Sequence, residues 1–316
     1  MSVFIGNSKN VIFFEKALQN GRLSHAYCFC GPEGVGKFTL AKKIASEILQ
    51  TPEDKLLQNP NFYYFERSID EKTGKAKKEI TVSQAREIKE KMTRKAWGER
   101  GQVLIVDGAQ YLNEESGNAL LKALEEPAQN SYLFLLGDHE KNILPTILSR
   151  CQKVFFHPVG NLELLEGLKK NGYDEKNSEM AVLLANGLPG KAKKLAEDKE
   201  FVEEFRTEIR KWLSLLKTDF FGKTESLENI FSDKDGNKAR DILIKKTDFW
   251  LELWRELLLF KTKKRNSRLL TEAEMILLPY TAKQISEIMD ELIKTQNYLK
   301  NNVQIRLAVE QFLLKF

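Results

Sequence analysis

Apolar positions along the first half of the chain switch repeatedly between two spacings, and that switching sets the expected fold. Val11, Ile12, Phe14 and Leu18 share one helical face between Asn7 and Asn20, and Gly21 ends the run. His25-Ala26-Tyr27-Cys28-Phe29-Cys30 is short and apolar, as a strand requires. Leu40, Ile44, Ala45, Ile48 and Leu49 then return to helical spacing. After Asn59-Pro60, Phe62-Tyr63-Tyr64-Phe65-Glu66 reads as a second strand. Residues 70–78 read as a polar, exposed turn around Gly74, and residues 80–92 as a helix. Val103-Leu104-Ile105-Val106-Asp107 and Tyr132-Leu133-Phe134-Leu135-Leu136 are continuous apolar runs, the pattern of strands buried on both faces. Residues 116–126 are helical and stop at Pro127, and Val154-Phe155-Phe156 is a last short strand. Strands alternating with helices imply a mainly parallel sheet covered on both sides.

Beyond Pro158 no strand pattern is found and helical periodicity dominates. Residues 162–170, 178–185 and 191–196 suit three short helices. From Phe201 onward the chain predicts longer amphipathic helices, with breaks near Ser232-Asp233 and Lys264-Arg265-Asn266. Trp250, Leu251, Trp254, Leu257 and Leu258 fall at helical spacing and read as core or subunit contact. The expected organisation is an α/β domain over 1–159, a small helical lid over 160–203 and an all-α domain over 204–316.

Composition narrows the class without changing it. Hydrophobic residues make up 42% and charged residues 30%, ordinary for a globular protein. A net charge of +5 permits an anionic partner without requiring one. Cys28, Cys30 and Cys151 supply neither a disulfide framework nor a set of four zinc ligands, so no metal is expected. No signal peptide or membrane span is read, and a cytoplasmic location is expected. Lys261, Lys263, Lys264, Arg265 and Arg268 read as a solvated turn between helices.

The candidate chemistry begins at Gly31-Pro32-Glu33-Gly34-Val35-Gly36-Lys37-Phe38-Thr39. This is G-x-x-x-x-G-K followed by Phe38, where Ser or Thr would ligate magnesium. Gly31, Gly34 and Gly36 let a loop wrap phosphates, and Lys37 meets their charge. The preceding strand and following helix are the context a P-loop requires. Thr39 is one residue further along, turned by ~100°, and its hydroxyl should face away from the metal. Asp107 stands where a strand-end carboxylate helps hold magnesium. The next position, where a base often stands, is Gly108. The magnesium site is therefore expected to be impaired and ATP hydrolysis absent. Binding of ATP or ADP without turnover stays open, because Lys37 and the loop amides survive.

Ser116-Gly117-Asn118-Ala119-Leu120-Leu121-Lys122-Ala123-Leu124-Glu125-Glu126-Pro127 resembles the N-A-L-L-K-x-L-E-E-P signature of the bacterial DNA polymerase III clamp-loader subunits. Leu144-Pro145-Thr146-Ile147-Leu148-Ser149-Arg150-Cys151 resembles their S-R-C motif. His25-Ala26-Tyr27 and the run from Asn302 to Glu310 extend the likeness. The resemblance implies an α/β P-loop (AAA+) domain with a parallel sheet, then a small helical lid and an all-α collar. Decayed nucleotide motifs with a retained S-R-C arginine look like the delta-prime kind of subunit. That kind would be part of a DNA polymerase holoenzyme without being catalytic itself. The implied partners are gamma/tau-type and delta-type subunits in a hetero-pentameric ring, the sliding clamp and primed DNA. The implied role of Arg150 is an arginine finger in a neighbour's ATP site. Arg86 and Lys122 match positions that approach the DNA backbone. Lys191 stands where active members carry a sensor arginine, and Gly137-Asp138 replaces the usual small hydroxyl residues. The rival readings are a hydrolysing gamma-type motor subunit and an unrelated P-loop ATPase.

Overall fold

The computed structural model describes residues 3–70, 74, 76–198, 201–232, 236–262, 278–301 and 303–315. It divides into two compact units, Met1–Glu197 and Asp198–Phe316. The first holds a parallel five-stranded sheet of β1 (Ala26–Cys30), β2 (Phe62–Phe65), β3 (Gln102–Asp107), β4 (Ser131–Gly137) and β5 (Gln152–Phe155), in the order β2-β3-β4-β1-β5. The fully apolar runs take the interior places: β1, β3 and β4 are buried nearly throughout, whereas β5 at one edge buries only Val154. A central strand needs apolar residues on both faces, which is why the continuous runs predicted it.

Alternate residues feed two cores. On one face Cys28, Leu104, Val106, Leu133 and Leu135 meet α3 (Val82–Thr93) and α4 (Glu114–Glu125). On the other, Tyr27, Phe29, Val103, Ile105 and Phe134 meet α1 (Ser8–Gln19) and α2 (Lys37–Leu49). Phe14 of α1 stands at the centre of this second core. Its ring centroid is 4.9 Å from Tyr27, 5.5 Å from Phe29 and 6.3 Å from Phe134.

Several element ends have a visible cause. Thr81 caps α3 in a reciprocal box with Gln84. Asn113 and Ser116 do the same for α4, which therefore starts two residues before the apolar periodicity does. The short helix α5 (Pro145–Leu148), one turn long, was beyond periodicity to detect. Three further helices, α6 (Asn161–Lys170), α7 (Glu175–Leu184) and α8 (Pro189–Glu197), gather an apolar cluster of their own that Ile5 and Val159 enter. The strands alternating with helices, and the helical remainder, are as the sequence predicted.

The second unit contains α9 (Phe201–Leu215), α10 (Phe220–Phe231), α11 (Gly236–Lys261), α12 (Ala282–Lys300) and α13 (Ile305–Leu313). Its tryptophans are core residues: Trp212 packs edge-on against Trp254 at 5.2 Å, and Trp250 stacks on Phe312 at 5.9 Å. Lys261 donates to Leu278 O at 2.9 Å, so the first member of the expected basic turn closes the helix end. Lys263, Lys264, Arg265 and Arg268 lie outside the described residues. No described helix is long and apolar enough to cross a membrane.

The aromatic cluster fixes an expectation for stability. Phe14→Ala should cost about 3–5 kcal/mol, since a buried ring with no room to collapse leaves a cavity. Ile12→Ala, on a side chain 49% exposed, should stay within about 0.5 kcal/mol. Urea unfolding of the two variants should separate them; equal midpoints would place the core elsewhere.

Candidate functional site: a P-loop with its metal and base positions closed

The glycine loop joins the C-terminal end of β1 to α2 and is held from three sides. Gly31 N donates to Gly137 O of β4 at 3.2 Å, and a Cβ at Gly31 would meet Phe156 O at 2.6 Å. Gly36 caps α2 at a φ of 108°, in the region that favours glycine. Gly190, at the start of α8, donates to Gly34 O at 2.8 Å, which lays this helix across the loop.

Lys37 turns back under the loop. Its Nζ donates to Gly31 O and, at 3.0 Å, to Pro32 O. Burial pushes its pKa down, while Asp107, Asp138 and Glu33 pull it back up. Asp107, at the end of β3, shows the opposite balance: burial pushes its carboxyl up, and Lys37 opposes the shift. Lysine and carboxylate thus share one partly desolvated place, each charge opposing the shift that burial imposes on the other. Gly34, Gly36, Lys37, Thr39 and Asp107 line a cavity of about 210 Å³ together with Phe38, Pro189, Gly190 and Lys193. A second cavity of about 540 Å³ shares Lys37 and Asp107 with it and is also lined by Glu66, Gly108, Tyr111 and Asp138, within the ~300–1,000 Å³ of typical small-molecule pockets.

Phe38 does more than lack a hydroxyl. Its ring centroid lies 5.1 Å from that of Tyr64 on β2. The Tyr64 phenol donates to Glu66 Oε2 at 3.0 Å, and its pKa is raised by burial and then by the Asp107 charge. An aromatic pair therefore stands beside Asp107, where a hydroxyl and a carboxylate would share a cation. The hydroxyl that would join Asp107 on a magnesium ion is absent at this place, and the carboxylate remains. A lysine and loop amides remain to fit phosphate. Thr39 is exposed on the following helical step.

Gly108 is also more than a missing base. Its φ is 94°, and an added Cβ would stand 2.6 Å from the Tyr111 ring. Arg67 lies over that ring at 3.7 Å. The direction in which a glutamate would project is therefore filled by Tyr111 with Arg67 over its ring, a pairing that no local pattern marks. At the neighbouring strand end, Asp138 accepts from His139 N at 2.6 Å and from Asn142 Nδ2 at 3.1 Å, so it caps the next turn.

The remaining candidates do not line that cavity, although Lys191 N lies 3.6 Å from where a Gly34 Cβ would stand. Lys191 is exposed and does not line it; Lys193, two residues on, does. Arg86 and Lys122 are exposed on α3 and α4, helices that pack against each other. Arg150 stands just before β5. Its Nε and Nη2 reach Glu125 Oε1 at 2.8 and 2.5 Å, and its Nη1 donates to Thr146 O at 3.1 Å. The local motif explains this display. Ser149 Oγ turns back to Thr146 O, and Cys151 packs into the core with its thiol pushed up to about 12 by burial. The arginine between them faces outward. Glu125 belongs to the quoted L-E-E-P run, yet nothing in the sequence marked it as the partner of Arg150.

Topology separates Arg150 from this cavity. Gln152 opens β5 opposite Tyr27, near the start of β1, while the glycine loop follows Cys30 at the end of β1. The strands are parallel, so arginine and loop occupy opposite ends of the sheet, about 10 Å of strand apart before the leading residues are added.

The fold and site define a P-loop α/β protein with Phe38 at the usual metal-hydroxyl position and Gly108 after the strand-end acid. Residues 6–160 match the family described as DNA polymerase III, delta subunit. DNA polymerase III subunit delta' of Pseudomonas aeruginosa is 32% identical over 188 residues, 54% of this chain and 56% of that one. Its Haemophilus influenzae counterpart is 40% identical over 111 residues, 35% and 34% of the two chains. DNA polymerase III subunit gamma/tau of Mycoplasma pneumoniae is 34% identical over 157 residues, 46% and 22%. The matches span about half or less of these relatives' lengths. Over residues 6–160 the chain is similar to the delta and delta' subunits of DNA polymerase III.

Restoring the missing acid should fail for a structural reason. Gly108→Glu is expected to lower stability by roughly 1–3 kcal/mol from backbone strain, before the clash with Tyr111 is added. It should yield no ATPase. A variant as stable as the natural chain in urea would show that Tyr111 can move aside.

Proposed function

We propose that the chain is a delta-prime-type subunit of the clamp loader, a stator that hydrolyses no ATP and completes a neighbour's site through Arg150. The observation that carries this reading is the double closure of its own site, by Phe38 against Tyr64 and by Tyr111 behind Gly108. Asp107 alone cannot hold the ion that neutralises charge on a transferring phosphoryl group. The position of Arg150 supports the second half. It lies at the far end of the sheet from its own loop, so an adjoining subunit is where it could meet a phosphate.

The ion pair with Glu125 is compatible with that role. Its partners are 33% and 51% exposed, and such a pair is worth only about 0–1 kcal/mol. A phosphate offered by a neighbour would outbid it, because the planar guanidinium can address two oxygens at once. Until then Glu125 and Thr146 O hold the side chain extended. The partners in this reading are gamma/tau-type and delta-type subunits in a hetero-pentameric ring, which would place a sliding clamp on primed DNA. The helical unit from Asp198 onward would serve as the collar, and Arg86 and Lys122 would approach the DNA backbone. The chain would need no cofactor of its own.

A motor reading also has an observation behind it, since the gamma/tau relative is 34% identical and Lys37 is retained. It requires steady ATP turnover by the purified chain that Lys37→Ala abolishes. For the stator reading, Arg150→Ala in a reconstituted complex should leave assembly intact and slow the adjoining site by about 10³-fold or more. Arg150→Lys should recover little of the loss. Unchanged DNA-stimulated turnover would refute the finger.

A further inference from the structure

Between α3 and β3 the chain presents an indole to solvent in an unusual way. Trp97 is 69% exposed, whereas Trp212, Trp250 and Trp254 are at most 2% exposed. Its backbone is nevertheless gripped by Asn61, which is itself buried at 6%. Asn61 Nδ2 donates to Trp97 O at 2.7 Å, and Trp97 N donates to Asn61 Oδ1 at 2.9 Å. A second buried amide holds the other end: Gln102 Nε2 reaches Lys91 O at 2.6 Å and Arg94 O at 2.9 Å. Arg100 Nη1 adds a bond to Leu49 O at 3.3 Å. Two buried amides therefore fix the backbone from Arg94 to Trp97 while its long side chains face water.

Those side chains form a coherent set. Arg94 and Lys95 are exposed and have no ion-pair partner among the described residues, and Trp97 has no ring partner among them. Exposing an indole forfeits the burial of 150–250 Å² of mostly apolar surface, so pinning it outward opposes the hydrophobic effect. A protein-binding hot spot would sit in a well-packed pocket ringed by contacts that exclude water. Here the neighbours along the chain are two cations on one side and exposed Gly98 and Glu99 on the other. That pattern suits a flat anionic chain, with one face for stacking and charges for the links between stacked units.

We propose that Arg94, Lys95 and Trp97 form a binding site for single-stranded nucleic acid. Trp97 stacks on one unpaired base, and the two cations meet the adjoining phosphates. Duplex is excluded because its bases are already stacked on one another. Stacking on an aromatic ring is tolerant of base identity, so the site reads strandedness rather than sequence. The inference needs neither Arg150 nor any partner subunit, and its failure would leave the proposed function standing.

The burial of the other three indoles makes the test direct. Titrating the full chain with a twelve-residue thymidine oligonucleotide should quench the long-wavelength tryptophan emission saturably, and the same oligonucleotide in a duplex should not. By anisotropy of a labelled oligonucleotide, Trp97→Ala should weaken binding about 5-fold or more, and Trp97→Phe should stay near the natural value. Arg94→Glu with Lys95→Glu should weaken it further and flatten the salt dependence by roughly 1.4 in log–log slope. A uridine oligonucleotide run alongside distinguishes RNA from DNA as the preferred source. Absence of quenching on the natural chain would overturn the proposal, and that arm needs no variant. Equal quenching by polyglutamate, or an unchanged Trp97→Ala that melts like the natural chain, would overturn it too.

Discussion

The constraint on which the rest depends is that all five strands run the same way. A parallel sheet has two unlike ends, and side chains placed at one cannot serve the other. The C-terminal ends of β1, β3 and β4 bring the glycine loop, Asp107 and Asp138 together. The N-terminal ends place Arg150 beside the start of β5 and Trp97 on the approach to β3. Gly31 links these facts locally. Its amide is tied to β4, and no side chain would fit against Phe156, so the loop cannot drift from the sheet that defines its end.

Around that loop, both departures from the motif are packed against rings. Phe38 and Tyr64 form one contact, and Tyr111 and Arg67 another, where a metal hydroxyl and a base would otherwise stand. What survives is the part that costs little to keep. Lys37 is bonded to carbonyls of its own loop, and Asp107 counters its charge. Those groups hold the loop's shape whether or not a phosphate is present. A site where rings pack beside both positions differs from one that merely lacks two residues, because a restored side chain would meet those rings.

Much of this was legible along the chain. The continuous apolar runs at 103–106 and 132–136 gave central strands because only a doubly covered sheet accepts residues apolar on both faces. The lysine after the glycine loop, the acid ending β3 and the arginine after Ser149 were each marked by their motif. Partners were not marked. Glu125 lies 25 positions before Arg150, and Asn61 lies 36 before Trp97. Such pairs carry no periodic signal, since they arise only where strands and connecting loops converge. Lys191 shows the same limit from the other side. A two-residue offset on a helix turns a side chain by roughly 200°, and Lys193 rather than Lys191 reaches the cavity.

The sequence by itself determined the alternation of strand and helix, the phosphate-loop motif and the two departures at Phe38 and Gly108. Local spacing and residue chemistry are enough for these, because hydrophobic period and backbone freedom act over a few positions. Only the tertiary structure decided what fills the vacated positions, which end of the sheet Arg150 occupies, and that one tryptophan of four is held out in water. Those outcomes depend on strand order and on contacts between distant segments, which exist only once the sheet has closed around its two cores.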